Sequence, residues 1–200
     1  ERDINYTYVQ PGENEVSVED NEIDAVNDAA TGKLLMYRDS FGNTLIPLIA
    51  ECFASSHFSK AAPCKLEKDM DSYSPDYVVV EKVERNLKTF VTGPAIFSAM
   101  KAELSADEVR LVAEDGCAVS ACVYDQSYVE FKGFLEEGTI GLTDEIYVEI
   151  TNGRGETYLY RASGISSDES DYGYVVYLPL SQFGAIEDVE SGFGGVYTDK

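Results

Sequence analysis

The pattern of hydrophobic and polar positions changes near residue 94. Before that point the apolar residues come in short continuous runs, such as residues 34–36 and residues 78–80. Such runs are typical of strands that are buried on both faces, as in parallel sheets. After that point apolar and polar residues alternate, which is typical of half-buried strands. The pattern predicts an α/β domain followed by a β-rich domain.

In the first region a helix is predicted between two strands. Asn43 is expected to cap this helix, which runs to about Ala54, and Pro47 falls in its first turn, where the missing N–H costs least. Its broad apolar face consists of Leu45, Ile46, Leu48, Ile49, Cys52 and Phe53. Because strand, helix and strand follow in this order, the region predicts a parallel α/β unit with a right-handed crossover.

In the second region six segments alternate and are rich in Val, Ile and Tyr, which favours strands. They are "VRLVAE", "AVSACVYD", "YVEFKGFL", "EIYVEIT", "ETYLYRAS" and "YGYVVYLPL". Asn152-Gly153 predicts a hairpin turn. The "SGFGG" segment near the C-terminal end is interpreted as a glycine-rich turn and not a phosphate loop, because no Lys-Ser or Lys-Thr follows it. These strands predict a β-sandwich.

Three regions are therefore predicted. Residues 1–30 are acidic, polar and weakly patterned, and we expect a weakly structured segment with one short strand around Tyr8. Residues 31–94 form the α/β domain, and residues 95–200 form the β-sandwich domain. The sequence opens with Glu1 and has no visible signal peptide. We therefore expect a processed protein or a piece of a longer one.

The charge of the chain excludes several classes of partner. Lys and Arg number 15 against 37 Asp and Glu, so the formal net charge is -22. This argues against nucleic acid and against anionic lipid, which both require a basic surface. No apolar run approaches the roughly 18 residues of a membrane span, so we expect no membrane insertion. The favoured interpretation is an extracellular or cell-surface protein that its charge keeps soluble.

The alternative interpretation of the charge is that some carboxylates hold Ca²⁺ or a cationic ligand. The most acidic candidate is "DNEIDAVND", residues 20–28. It does not fit an EF-hand loop, because Ala25 stands where Gly is required and no Glu occupies the twelfth position. We interpret it as a solvated acidic segment.

The four cysteines do not form a metal-binding pattern. They are Cys52, Cys64, Cys117 and Cys122, without a CxxC pair, and the chain has one histidine. A zinc site is therefore not expected. Cys117 and Cys122 either close a small disulfide loop in an oxidising compartment or remain free thiols. No nucleotide motif is present, and we expect no cofactor.

The segment "YRDSFGN" presents a candidate nucleophile. Ser40 lies between a predicted strand and a predicted helix, and such a corner projects its side chains from the carboxyl edge of a parallel sheet. Free N–H groups of the first helical turn can hold an oxyanion, Gly42 permits close approach, and Asn43 can cap the helix or donate its amide to a substrate. This arrangement suits acyl transfer through serine. The alternative is an ordinary turn and cap, because Asp, Ser, Gly and Asn are common turn residues.

Two segments resemble a known family. "MYRDSFGNTLIPLIAECFASSHFSK" resembles the nucleophile block of the DHHW family, relatives of the alginate O-acetyltransferases within the SGNH-hydrolase superfamily. "PDYVVVEKVERNL", residues 75–87, resembles a second block of that family, in which a strand runs into Glu-Arg-Asn-Leu. The resemblance covers roughly residues 33–90 and implies a partial SGNH or flavodoxin-like parallel sheet.

The resemblance also implies roles for individual residues. Ser40 would be the acyl-accepting nucleophile, and Asp39 would support the corner by hydrogen bonding. Arg85 and Asn86 would orient the substrate or polarise its carbonyl, whereas Glu84 is interpreted as a surface ion-pair residue. The implied activity is that of a serine O-acyltransferase or esterase acting on polysaccharide or cell-wall glycan.

The chain departs from the family at its acid and base residues. The Asp-His-His-Trp set normally lies upstream of the serine block, yet this chain has no tryptophan, and its one histidine, His57, lies downstream. We expect His57 to be a structural or surface residue and not the base. Because serine without a base is a poor nucleophile, the catalytic residues lie on a missing N-terminal part or the chain is a degenerate member.

Tyrosines in the second region suggest a different function. Aromatic faces stack on sugar rings, although such residues are more often half-buried strand positions. In "YGYVVYLPL" the alternation places Tyr172 and Tyr174 on one face and Val175 and Tyr177 on the other, which predicts one exposed set. Besides the enzyme, a non-catalytic carbohydrate- or cell-surface-binding protein and a purely structural surface protein therefore stay open.

Overall fold

A computed structural model describes the chain over residues 5–9, 15–92, 94–105, 107–122, 126–141, 143–168, 170–183, 189 and 192–200. The chain divides into two compact units, residues 1–88 and residues 89–200. Over the described ranges the fold is mixed α/β and mostly β, with three sheets and a few short helices. None of the helices in these ranges combines the length and the apolarity of a membrane span.

The first unit contains one five-stranded sheet with the strand order β1-β2-β4-β3-β5. Its strands are β1 (Thr7–Val9), β2 (Glu22–Val26), β3 (Lys33–Tyr37), β4 (Ser55–Ser59) and β5 (Tyr77–Val80). Strand β3 pairs in parallel with both β4 and β5, whereas β1, β2 and β4 pair in antiparallel fashion. The parallel pairing predicted for this region is confirmed.

Short helices connect these strands and cover the sheet. The 3-10 helices span Ser40–Leu45, Pro63–Lys65 and Glu84–Asn86, and the α-helices are α1 (Ile46–Ala50) and α2 (Leu66–Tyr73). One face of the sheet packs with α1 in a core of Ile23, Ala25, Leu34, Met36, Ile46, Ala50 and Phe58. On the other face α2 contacts β3 and β4, because the Tyr37 hydroxyl donates to Asp69 at 2.5 Å and the His57 ring stacks on Tyr73.

The N-terminal region differs from its prediction. Residues 22–26 are not weakly structured but form β2, which pairs with β1 and β4. Ile23 and Ala25 alternate with acidic residues and are buried in the core. The acidic residues Glu22 and Asp24 lie on the opposite face of β2 from Ile23 and Ala25. From its sequence the segment is therefore interpreted as acidic and solvated, although its apolar residues alternate. Residues 1–4 and 10–14 lie outside the described ranges.

The helix after β3 also differs from its prediction. It begins at Ser40 with Asp39 as its N-cap, and not at Asn43. A 3-10 turn precedes α1, which ends at Ala50, so Leu48 and Cys52 are exposed. The physical reason is local: the Asp39 carboxylate accepts a hydrogen bond from the Phe41 N–H group, so the N-cap lies four residues earlier than predicted.

The second unit consists of two four-stranded antiparallel sheets, ordered β10-β9-β13-β6 and β11-β12-β8-β7. The strands are β6 (Val109–Ala113), β7 (Cys117–Ala121), β8 (Tyr128–Phe134), β9 (Ile146–Thr151), β10 (Thr157–Arg161), β11 (Ser163–Ile165), β12 (Gly173–Pro179) and β13 (Phe193–Asp199). Helix α3 (Thr89–Thr92) and a 3-10 helix (Leu180–Gln182) complete the unit. Both sheets contribute to one core, which includes Phe131, Val148, Tyr160, Val176 and Val196.

Two glycine-bearing segments can be compared with their predictions. The predicted hairpin is present, because β9 and β10 pair and the Asn152 side chain accepts hydrogen bonds from residues of the turn. In "SGFGG" Gly192 lies in a turn, and Phe193 already begins β13, which pairs with β9 and β6. Residue 191 lies outside the described ranges. A Cβ atom on Gly194 would lie 2.3 Å from the Glu149 carboxylate, so a larger residue there would displace that side chain.

The tyrosines of β12 are not exposed, contrary to the alternation argument. Tyr174 and Tyr177 are buried, and so is Val175 between them. The segment before β6 runs along the edge of β12, since the Ala99 N–H group donates to the Tyr177 carbonyl at 2.9 Å. An alternating strand exposes one face only when nothing packs on that face. Tyr124 lies outside the described ranges.

All four cysteines are free thiols. Of the two possibilities for Cys117 and Cys122, the structure therefore has the free thiols. Burial raises the pKa of the Cys117 thiol above its ordinary value, which makes this thiol a weak nucleophile at neutral pH.

Candidate active site

Ser40 is exposed at the carboxyl end of β3, at a corner that we call the serine corner (residues 38–43). The end of β5 lies beside it, since Tyr37 is in register with Val80 and the Glu81 N–H group donates to the Tyr37 carbonyl at 2.8 Å. The chain leaves β3 towards β4 on one side and later returns to β5 on the other. Open α/β sheets bind ligands at such a switch point of the strand order.

Asp39 fastens the serine corner to the loop after β5. One carboxylate oxygen accepts from the Phe41 N–H group at 2.8 Å, and the other accepts from the Val83 N–H group at 2.9 Å. The Asn86 side chain also donates to this carboxylate. These hydrogen bonds hold the pKa of Asp39 below its ordinary value, and the bond from the Val83 N–H group has the largest effect. Asp39 is thus an ionised clamp at neutral pH.

Gly42 permits close packing inside the corner. A Cβ atom at this position would lie 2.7 Å from a carboxylate oxygen of Glu81 and 2.9 Å from the Cβ atom of Arg38. The Gly42 N–H group donates to the Asp39 carbonyl at 3.2 Å, and Phe41 donates to the Asp39 side chain. The first-turn N–H groups of Phe41 and Gly42 are therefore occupied, and the sequence-based expectation that such groups are free to hold an oxyanion is wrong for these two.

Arg38 is the residue of this site that the sequence analysis missed. It is 0% exposed. Its guanidinium donates to the Asn43 side-chain oxygen and, at 2.7 Å, to the Asp20 carbonyl. Burial lowers the pKa of Arg38, and the carboxylates of Glu19, Glu81 and Asp20 act in the opposite direction. The only sequence signal was an arginine placed directly after a buried apolar run.

Asn43 has a different role from the predicted cap. Its side chain is buried, with 5% of the residue exposed, and its oxygen faces Arg38. The cap position is taken by Asp39. The amide of Asn43 is thus held inside the corner, next to the turn that carries Ser40.

The residues predicted from the second block lie at the same corner. The guanidinium carbon of Arg85 is 5.2 Å from the centroid of the exposed Phe41 ring, a cation–π distance. Asn86 bonds to Asp39, and the side chain of Glu84 is exposed. The structure thus brings Arg85 and Asn86 together with Asp39 and Ser40, while their chemical roles stay predictions.

His57 does not belong to the serine corner. It lies in the middle of β4, in register with Leu35 of β3, and Leu35 precedes Ser40 by five residues. The ring nitrogen of His57 is 2.7 Å from the Asp24 carboxylate. Its ring stacks on Tyr73 of α2 with centroids 4.2 Å apart. These contacts fit the structural role that we expected for this histidine.

The comparisons with known proteins are sparse. No protein-family profile and no curated protein matches the chain. Among solved structures, Bacillus cereus PatB1 is similar at 21% identity with a TM-score of 0.31, over 34% of this chain and 24% of that chain. The match therefore spans about a quarter of PatB1, and a likeness of this extent determines neither the fold nor the activity of this protein.

Proposed function

We propose that the chain is a DHHW-family protein whose first unit is a partial SGNH-like α/β domain, and that it acts as a serine O-acyltransferase or esterase. Its substrate would be an extracellular or cell-surface polysaccharide. The observation that carries this proposal is the exposure of Ser40 at the switch point of the sheet, on a corner that Asp39 clamps to the loop of Arg85 and Asn86.

In the proposed reaction the Ser40 oxygen forms a bond to the acyl carbon, and the carbonyl electron pair moves onto the carbonyl oxygen. Collapse of this oxyanion releases the donor alcohol, and the acyl group then passes to a glycan hydroxyl or to water. The serine proton passes to a base and returns to the leaving alcohol. Because His57 is engaged by Asp24 in the middle of β4, we propose that this base lies outside the described residues.

The same position of His57 favours a second candidate, a non-catalytic carbohydrate-binding protein derived from such an enzyme. In this reading the two sheets of the second unit form a β-sandwich that holds the glycan. Tyr128 and Tyr172 there are partly exposed and would stack on sugar rings in this candidate. The ring of Tyr158 is instead covered by the Lys101 ammonium, 3.2 Å from its centroid.

The deciding experiment is intact-mass labelling with a serine-reactive fluorophosphonate. A single adduct that disappears in Ser40→Ala and persists in Ser72→Ala is the expected result for the enzyme. Ser72 is a matched control because it is an exposed serine on α2, where its hydroxyl bonds to the Lys68 carbonyl. No adduct on folded protein would mean that this chain by itself lacks the catalytic machinery, and a glycan-binding screen of the same sample would then test the second candidate.

A further inference from the structure

We propose that two copies of this chain associate through strand β5. In this dimer β5 pairs in antiparallel fashion with β5 of the second copy, about a two-fold axis at Val79. The inference goes beyond the proposed function, since neither Ser40 nor a substrate takes part in it. The surface that carries it is the open edge of the sheet in the first unit.

Strand β5 is an uncovered edge strand. It stands last in the strand order, and within the described ranges it pairs only with β3. Its four side chains, one tyrosine and three valines, are all exposed, so both faces of the strand and its free edge are open to solvent. An exposed apolar edge strand is a template for pairing with another chain.

The other edge strands of the molecule carry features that discourage such pairing. β1 and β11 have three residues each, and β6 carries the exposed Arg110. Tyr160 of β10 forms a bridge with Lys101, and β7 exposes Ala118 and Ser120, which offer little apolar surface. Short strands and edge charges are the usual protection of sheet edges, and β5 has neither a charge nor a proline among its residues.

The backbone of β5 determines which of its residues face the open edge. The Glu81 N–H group donates to the Tyr37 carbonyl of β3 at 2.8 Å. Because the backbone groups of successive strand residues point to opposite sides, those of Val79 also face β3, whereas those of Val78 and Val80 face the open edge. In an antiparallel pair, residues of the latter kind lie opposite each other and exchange two N–H···O bonds.

This alternation limits the register of the two strands. With the axis at Val79, Val78 lies opposite Val80 of the second copy, and Val79 packs against Val79 of the second copy. A shift by two residues in either direction would place Val80 opposite Asp76 or Val79 opposite Glu81. Only the central register places valine opposite valine at all three positions, so the burial of apolar surface favours it.

The charges that flank β5 agree with the same register. Asp76 then lies opposite Lys82 of the second copy, and the symmetry repeats this pair at the other end. Within one copy the Asp76 carboxylate accepts from the Lys33 N–H group at 2.8 Å, and Lys82 acts electrostatically on Asp39. A carboxylate accepts and an ammonium donates several hydrogen bonds, so both groups keep capacity for the ion pair. Opposite charges that face each other across strands stabilise the pairing.

The negative charge of the whole chain opposes association only weakly at this contact. The formal net charge is -22, but the Debye length is about 8 Å at physiological ionic strength, so distant carboxylates are largely screened. Glu81, the acidic residue next to β5, is directed to its own serine corner, where its carboxylate accepts from the Asp39 N–H group at 3.1 Å. The attractive pairs of Asp76 with Lys82 therefore dominate near the axis.

The two serine corners lie at opposite edges of the joined sheet. β3 is parallel to β5, and the two copies of β5 run in opposite directions. Association and labelling of Ser40 are therefore separate measurements, and the dimer stands or falls independently of the proposed acyl transfer.

The test is analytical ultracentrifugation of wild type and Val79→Asp over a range of protein concentrations at physiological ionic strength. The wild type should form a dimer in a concentration-dependent manner. Val79→Asp places two carboxylates against each other at the axis, and we expect the dissociation constant to rise by at least about thirtyfold, the size of a hot-spot loss.

Leu111→Asp is the matched control. Leu111 is 41% exposed on the edge strand β6, whereas Val79 is 40% exposed on β5, so the control adds the same charge to a similar site and should leave the dimer intact. In dilute, monomeric protein Val79 is exposed and contributes little to the free energy of unfolding, and thermal melting verifies that each variant is folded. A wild type that stays monomeric at its highest soluble concentration, or a dimer that persists in Val79→Asp, would overturn the inference.

Cross-linking tests the register. At the axis the Cβ atoms of a non-hydrogen-bonded pair lie about 4.5 Å apart, close to the span of a disulfide. Val79→Cys should therefore form a covalent dimer under mild oxidation, whereas wild type and Leu111→Cys should not. This variant remains informative if Val79→Asp fails to fold, and a failure of Val79→Cys to cross-link beyond the level of Leu111→Cys would overturn the register.

A charge exchange tests the flanking ion pair. Lys82→Glu should weaken the dimer by about threefold, as expected for a partly exposed pair. Adding Asp76→Lys to Lys82→Glu restores opposite charges across the axis and should recover the wild-type dissociation constant. A double variant that dimerises more weakly than Lys82→Glu alone would contradict the contact between Asp76 and Lys82.

Discussion

The serine corner and the core of the second unit follow opposite rules of burial. At the corner the charged Arg38 is 0% exposed while the aromatic Phe41 beside it is 56% exposed. In the core of the second unit large apolar side chains such as Phe131 are inside. Charged residues are rarely buried without a partner, and an inverted pattern costs stability. The corner therefore buries a charge and exposes an aromatic ring, whereas the core of the second unit buries aromatic rings.

Strand β5 extends the contrast to the sheet around the corner. Val78, Val79 and Val80 are 37%, 40% and 41% exposed, although parallel strands are usually covered on both faces. In the second unit the equally apolar β12 is buried along nearly its whole length. Two strands of similar composition thus differ in how far their side chains are buried. Substitutions in each strand can measure what that burial contributes to the free energy of unfolding.

The largest expected effect is in the core of the second unit. Phe131→Ala should lower the free energy of unfolding by about 3–5 kcal/mol, because it removes a wholly buried ring. Leu111→Ala on β6, where the side chain is exposed, should change it by less than about 0.5 kcal/mol. Chemical denaturation measures both, and similar losses would contradict the assignment of this core.

A matched pair of valines compares the two strands directly. Val176→Ala in β12 should cost about 2 kcal/mol, since the side chain is 1% exposed. Val79→Ala in β5 removes the same atoms from an exposed site, and we expect a loss of less than about 0.5 kcal/mol. If Val79→Ala proved as costly as Val176→Ala in denaturant titrations, β5 would be covered in solution.

Gly42→Ala tests the close packing of the serine corner. The new methyl group would meet Glu81 and the side chain of Arg38, and such overpacking costs about 1–3 kcal/mol. Gly164→Ala in β11 is the control, because no atom lies within 4 Å of the added Cβ atom. A thermal shift for Gly42→Ala no larger than that for Gly164→Ala would argue against the close packing described here.

Asp39→Ala should destabilise the first unit by about 1 kcal/mol at pH 7, because it removes the helix cap and the clamp to Val83. The folded-state pKa of Asp39 is lowered, so its contribution is present above the unfolded-state pKa and is lost as the pH falls through the folded-state pKa. Unfolding curves of wild type and variant should therefore converge in acid. Curves that stay equally far apart down to low pH would show that the ionised carboxylate is not responsible.

The smallest expected effect concerns His57. His57→Gln should leave labelling of Ser40 by the fluorophosphonate unchanged, since the ring bonds to Asp24 in the middle of β4. A loss of labelling comparable to that of Ser40→Ala, in a variant that melts like wild type, would instead indicate that His57 is the base. His57 would then belong to the functional site and not only to the structural core of the sheet.

The sequence by itself determined the order of the elements and the position of Ser40 at a strand–helix corner. Apolar runs identified β3 and β5 and alternation identified most strands of the second unit, because these signals lie within single strands. The resemblance implied that Arg85 and Asn86 lie at the sheet edge that carries Ser40, and the structure places them against Phe41 and Asp39 of that corner.

Only the tertiary structure decided which side chains are buried. Arg38 is buried where its guanidinium meets the Asn43 side chain and the Asp20 carbonyl, and Tyr174 is buried because both faces of its strand are covered. Likewise, the acidic β2 is a strand because β1 and β4 pair with it. Burial depends on segments that are distant in sequence, so periodicity within one strand cannot determine it.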